Sequence, residues 1–232
     1  MRPAENYRAL NPNLLIATIS RLLSRVEERF PDRGISGVCQ QLCELAPDVV
    51  QTATTLSKPN LLLRGAVFLV IAVGIALVAR LFWLLELDGI DTEAFRFFEG
   101  LEALINVVIL SGAGIWFLLS LETRMKRSAA LKRLHELRSI AHVIDTHQLT
   151  KTPVAILEGG DRTVSSPERS LTPFELRRYL DYCSEMLSLA GKLAALYLAH
   201  SRDSVVIQAV NEIEELTSDL SRKIWQKISV MA

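Results

Sequence analysis

Residues 61–87 read LLLRGAVFLVIAVGIALVARLFWLLEL, and residues 103–121 read ALINVVILSGAGIWFLLSL. These two stretches decide the fold. Between Gly65 and Ala79 there is no charged side chain, and none between Ala103 and Leu121. A helix needs about 20 predominantly apolar residues to cross a bilayer. In hydrocarbon every main-chain amide must find its partner within its own segment, so both stretches are predicted to be transmembrane α-helices. The fold class expected is all-α: a two-pass transmembrane helical hairpin with a cytosolic helical bundle formed by the N- and C-terminal segments.

The flanks orient the hairpin. The connector from Glu86 to Glu102 carries Glu86, Asp88, Asp91, Glu93, Glu99 and Glu102 against the single base Arg96. Lys58 and Arg64 precede the first span, and Arg124, Lys126, Arg127, Lys132 and Arg133 follow the second. Basic flanks stay inside, which predicts a cell membrane protein, plasma or inner, with both termini cytoplasmic. The connector is too short for an extracellular receptor domain. Met1 to Asn13 lacks a long apolar core, so the first span is expected to act as the targeting signal.

Composition agrees. Of 232 residues 50% are hydrophobic, and 26 Lys+Arg balance 26 Asp+Glu. Mean hydropathy is +0.25. No global basic field exists, so nucleic acid is not an expected partner. The three cysteines, Cys39, Cys43 and Cys183, give no disulfide framework. Cys39 and Cys43 share a helix face, yet zinc would need two more ligands, and buried structural thiols are expected.

The chain divides into residues 1–60 (N-terminal amphipathic helices), 61–87 (first span), 88–100 (short acidic outer loop), 101–122 (second span), 123–149 (cytosolic extension of the second helix), 150–172 (loop) and 173–232 (C-terminal helical pair). Leu14, Leu15, Ile19, Leu22, Leu23, Val26 and Phe30 form an amphipathic stripe closed by Pro31-Asp32-Arg33-Gly34. A second helix is predicted from Ser36 to Ala46, ended by Pro47, with a further short helix before Lys58-Pro59. From Leu101 to Leu149 there is no proline. That predicts one helix projecting roughly 35–40 Å past the membrane. Thr172-Pro173-Phe174-Glu175 reads as a capping box. The helix that follows carries Leu176, Tyr179, Leu180, Cys183, Leu187, Ala190, Leu193 and Leu196 on one stripe. The last carries Val206, Ala209, Ile213, Leu216, Leu220, Ile224 and Ile228 in steps of three and four, the spacing of a bundle or coiled-coil seam.

Three groups of residues are site candidates. Arg80, Glu102 and Asn106 lie at similar depth toward the outer ends of the spans. They form a possible polar cluster that locks the hairpin or lines a vestibule; alternatively Arg80 snorkels to the headgroups. Arg124, Lys126, Arg127, Lys132 and Arg133 are expected to contact anionic lipid heads. Three of the four histidines fall between His135 and His147. Arg138, His142 and Asp145 share a helix face with His135, which permits a buried network fixing the bundle, a catalytic site, or a metal or pH-responsive site using His135, His142 and His147. His135 and His142 stand about 10.5 Å apart along the axis, too far for one ion within a chain. Small residues (Gly65, Ala72, Gly74, Ala76, Ser111, Gly112, Ala113, Gly114) allow close helix packing within the hairpin, between subunits or around a pore.

No motif places a nucleophile and base, no glycine loop cradles a phosphate, and no cofactor is expected. The leading functional expectation is a non-enzymatic membrane scaffold or regulatory subunit that self-associates and binds a cytosolic protein through its helices. A homo-oligomeric ion channel is the alternative, and a membrane-tethered enzyme using the His142 region is the second.

Overall fold

A computed structural model of the chain describes residues 9–86, 93–151, 153, 164–165 and 171–231. Every regular element among them is helical: α1 (Pro12–Arg29), α2 (Gly34–Leu56), α3 (Leu61–Glu86), α4 (Glu93–Leu149), α5 (Pro173–Ala195), a 3₁₀ turn (Leu196–Ala199) and α6 (Ser204–Ser229). The chain divides into two compact units. One comprises residues 58–126, the other residues 1–57 with 127–232. Helix α4 supplies residues to both.

The first unit is a hairpin of α3 and the first part of α4, and both helices are long and apolar enough to cross a membrane. Their large side chains face outward: Phe68 is 72% exposed, Leu110 72% and Trp116 76%. A surface so apolar has no favourable interaction with water. The small residues divide. A Cβ on Gly74 would stand 3.0 Å from Ser111 Oγ, and one on Gly114 3.7 Å from Val70, whereas Gly65 and Gly112 meet nothing within 4 Å. Gly74 and Gly114 therefore mark where the two helices of one hairpin approach. At the other end of the hairpin from the connector, Asn60 Oδ1 accepts from the amides of Leu62 and Leu63, and the Asn60 amide donates to Glu122 Oε1 at 3.1 Å. Lys126 Nζ pairs with Glu122 at 2.8 Å and donates to the Lys58 carbonyl at 2.7 Å.

The second unit is a bundle with one continuous core. From α1 it buries Leu15, Ile19, Leu22 and Val26, with Phe30 just beyond. From α4 come Ala130, Leu134, Leu137, Ala141 and Ile144. Helix α5 packs on α1, α2 and α6 and is buried nearly all round; Tyr182, Met186, Leu189 and Ala194 are buried along with the expected stripe. Phe30 meets Tyr179 and Tyr182 edge-on, at 5.6 and 6.2 Å between centroids. Such pairs add about 0.5–1.5 kcal/mol beyond their buried area.

The helix starts follow local chemistry. Asn11 Oδ1 accepts from the amides of Asn13 and Leu14. Thr172 and Glu175 form the reciprocal capping box, which holds the Glu175 carboxyl below its usual range by hydrogen bonds from the Thr172 amide and hydroxyl. Asp203 Oδ1 accepts from Val205 and Val206. Each cap satisfies amides that have no partner within the helix.

Four sequence expectations need correction. Pro47 does not end a helix; α2 runs through it to Leu56. Its ring is on the exposed side, while Leu42, Ala46, Val49 and Ala53 hold the inner face in the core. The helix that contains the second apolar stretch begins at Glu93, inside the residues 88–100 expected as a loop. The α6 seam runs through Val210 and Thr217 where Ala209 and Leu216 were expected to lead. Thr217 fits inside because Gly191 of α5 stands opposite; a Cβ there would lie 2.8 Å from Thr217 Oγ1. The helix from Pro173 tightens to the 3₁₀ turn after Ala195 instead of remaining α-helical to His200. Most of the loop predicted over 150–172, and residues 87–92 of the connector, lie outside the described residues.

Candidate functional site

The polar candidates of the hairpin are exposed. Arg80, Glu102 and Asn106 all lie on its surface, and among the described residues no hydrogen bond or ion pair joins them.

The five residues of the basic flank differ in their protein partners. Arg127 pairs with Asp203 at 2.7 Å, tying α4 to the start of α6. Burial works against the charge of Asp203, but the Arg127 hydrogen bond and the α6 amides together bring its carboxyl below the ordinary range. Arg133 pairs with Asp48 of α2 and Glu136, both at 2.9 Å. Lys126 is held by Glu122. Arg124 and Lys132 are the exposed members. Three of the five cations thus pair with protein carboxylates.

The histidine stretch is on α4, as expected, but its polar residues separate. Arg138 pairs with Glu212 of α6 at 3.2 Å, not with Asp145. His135 and Arg138 line a cleft of about 240 Å³ with Leu131, Leu134, Ala209 and Ile213. His142 is exposed. His147 is half-buried, and its ring lies so close to the Gly34 main chain that a Cβ there would collide with it. Among the described residues no three His, Cys, Asp or Glu side chains stand together as metal ligands.

A part-buried polar connection at this end of the bundle joins Asp145 to Gln148 and Lys227, two residues that the helical spacing did not single out. Asp145 accepts from Gln148 Nε2 at 2.6 Å. Lys227 of α6 donates to the Gln148 carbonyl at 2.9 Å and to its side-chain oxygen. Gln148 is only 2% exposed. Burial pushes the Lys227 ammonium below its usual range, opposed by the charge of Asp145. Asp145 was a candidate, but its hydrogen-bond partner is Gln148 rather than His142. The only signal in the sequence was a lysine amid the otherwise apolar spacing of α6, which is too common to read.

The three thiols are free. Burial raises Cys39 and Cys183 to about 12. Such thiols are protonated at neutral pH and inert as nucleophiles. Cys43 is half-buried, with its sulfur 3.6 Å from the Ser20 hydroxyl.

Comparison of the chain with protein-family models, with curated proteins and with solved structures finds no match.

Proposed function

We propose that this chain is a non-enzymatic integral membrane scaffold or regulatory subunit. It crosses the plasma or inner membrane twice, keeps both termini in the cytoplasm, self-associates, and binds a protein partner through the bundle. The observation that carries this reading is the contrast between its two units. The hairpin carries its apolar side chains outward, whereas the bundle gathers its own into a closed core. An outward apolar surface is stable in lipid, and a closed core leaves the outer faces of the bundle for recognition. Those faces retain isolated large apolar side chains, Leu14, Phe174 and Trp225 among them. Aromatic residues of this kind are frequent anchors at protein interfaces.

Two measurements test the reading. Cysteine-accessibility mapping in sealed vesicles should place both termini on one side and residues 87–92 on the other; termini on opposite sides would refute the topology. Native mass spectrometry from detergent should show a dimer or larger species, and a monomer at all concentrations would refute self-association. Selective cation flux in proteoliposomes would replace the scaffold with the channel reading.

A further inference from the structure

Helices α5 and α6 of the bundle bound an open groove of about 610 Å³. Short side chains line it: Ser184, Ser188 and Gly191 from α5, Ser218 and Ser221 from α6. Helix axes approach as closely as the side chains between them allow, so this groove admits another helix. Trp225 also lines it and is 60% exposed. A tryptophan beside a groove is a frequent anchor at protein interfaces.

Small residues alone do not name an occupant, but the charges of α6 do. From Ser204 to Ser221 the helix carries Glu212, Glu214, Glu215 and Asp219 and no base. From Arg222 to Ser229 it carries Arg222, Lys223 and Lys227 and no acid. A helix divided in this way is the electrostatic complement of a second copy of itself laid antiparallel. Glu212 and Lys227 are engaged inside the bundle, by Arg138 and Gln148. Of the remainder, Glu214 and Arg222 line the groove. Glu214 precedes Ser218 by four residues and Arg222 follows it by four, so all three share one helix face. The Glu214 carboxylate makes no hydrogen bond or ion pair with another described residue. Arg222 pairs with Asp219 at 3.3 Å, in a contact whose side chains are 71% and 50% exposed; such surface pairs contribute little. Lys192, the other cation of the groove, is turned to the carbonyl and hydroxyl of Ser188 on its own helix.

We propose that a second copy of this chain docks in this groove, its α6 antiparallel to the first about a two-fold axis beside Ser218. Around that axis Glu214 faces Arg222 of the partner subunit, and Arg222 faces Glu214 of the partner subunit. One patch thus serves both copies, as an isologous contact requires. A parallel arrangement would set acid on acid and base on base, so the charges select the antiparallel one. The docked helix also covers Trp225. The inference rests on the self-association of the proposed function and names the surface that carries it.

Native mass spectrometry of the full chain in dodecyl maltoside, over a dilution series, tests it by charge reversal. Glu214→Arg and Arg222→Glu each turn both symmetric contacts repulsive, and each should weaken the dimer about tenfold or more. The two reversals combined in one chain restore both contacts and should dimerise like wild type. Mixing the two single variants should give the heterodimer in preference to either homodimer, a result that an unfolded variant could not produce. A second readout uses Ser218→Cys in a Cys43→Ser background: a short bismaleimide should join position 218 to its twin across the axis. A wild-type oligomer that the reversals leave unchanged, or that does not cross-link at position 218, overturns the groove as the docking surface and leaves self-association standing through another surface. Weakening that neither mixing nor the combined variant restores overturns it too. A wild-type monomer at every concentration overturns both the groove and the self-association reading.

Discussion

Gly191→Ala should destabilise the bundle although alanine is the better helix former. In the interior of α5 the exchange gains about 1 kcal/mol of helix propensity. The new methyl, however, would lie 2.8 Å from Thr217 Oγ1 and 3.8 Å from Thr217 Cβ. Thr217 is 4% exposed, and its hydroxyl donates to the Glu214 carbonyl at 3.2 Å. Its branched Cβ allows no easy escape, because rotation replaces the oxygen with a methyl. Overpacking of this kind costs about 1–3 kcal/mol. Taking about 2 kcal/mol for the clash, the net loss is about 1 kcal/mol. With Thr217→Ala already in place the clashing atoms are gone, and the same Gly191→Ala change should stabilise by about 1 kcal/mol. The two backgrounds thus differ by about 2 kcal/mol, well beyond the error of a double-mutant cycle. Hydrogen exchange of α5 and α6 amides, measured on the full chain in detergent, gives these differences segment by segment. Equal stabilisation by Gly191→Ala in both backgrounds would refute the close approach of α5 and α6 on which the argument rests.

Three further outcomes follow from the ion pairs and thiols. Arg80→Leu should leave the thermal stability of the detergent-solubilised hairpin within about 0.5 kcal/mol, as for a surface site without partners; a larger loss would show that Arg80 pairs in the membrane. The lowered carboxyl of Asp203 means that its contribution is present above its ordinary value of 3.8 and lost as pH falls through the still lower folded value. Asp203→Asn keeps a capping oxygen but should lose the charge contribution at neutral pH together with its acid dependence, while Asp203→Ala should cost about 1 kcal/mol more; identical acid melting profiles for wild type and Asp203→Asn would contradict this. Maleimide at pH 8 should label Cys43 first and reach Cys39 and Cys183 only after denaturant is added, because burial raises the latter two to about 12. Labelling of native Cys183 as fast as Cys43 would contradict the packing of α5.

Much of this architecture was legible in the residues because it rests on local or one-dimensional properties. Uninterrupted apolarity marks a span wherever it occurs, and the caps at Asn11 and Thr172 bind amides two or three residues away. The core stripes of α1 and α5 follow from helical periodicity alone. The candidate sites were less legible. Sharing a face puts Arg138, His142 and Asp145 near each other, but a neighbouring helix decides which partner each takes. Arg138 found Glu212, and Asp145 found Gln148, itself held by Lys227.

By itself, then, the sequence determined that the protein is helical, that two of its helices are long and apolar enough for a bilayer, and where most helices begin. Hydrophobic patterning and capping act within a few residues, so the chain order contains them. Tertiary structure alone decided that α2 continues past Pro47, since core contacts on its inner face outweigh one missing hydrogen bond on the outer. It decided that Gly191 and Thr217 set the spacing of α5 and α6, and that three of five basic flank residues serve protein carboxylates. It also brought the start of α2 beside His147 and Tyr179. Those residues are more than a hundred positions apart in part, and no periodicity carries information across such a distance; only the closing of the bundle core does.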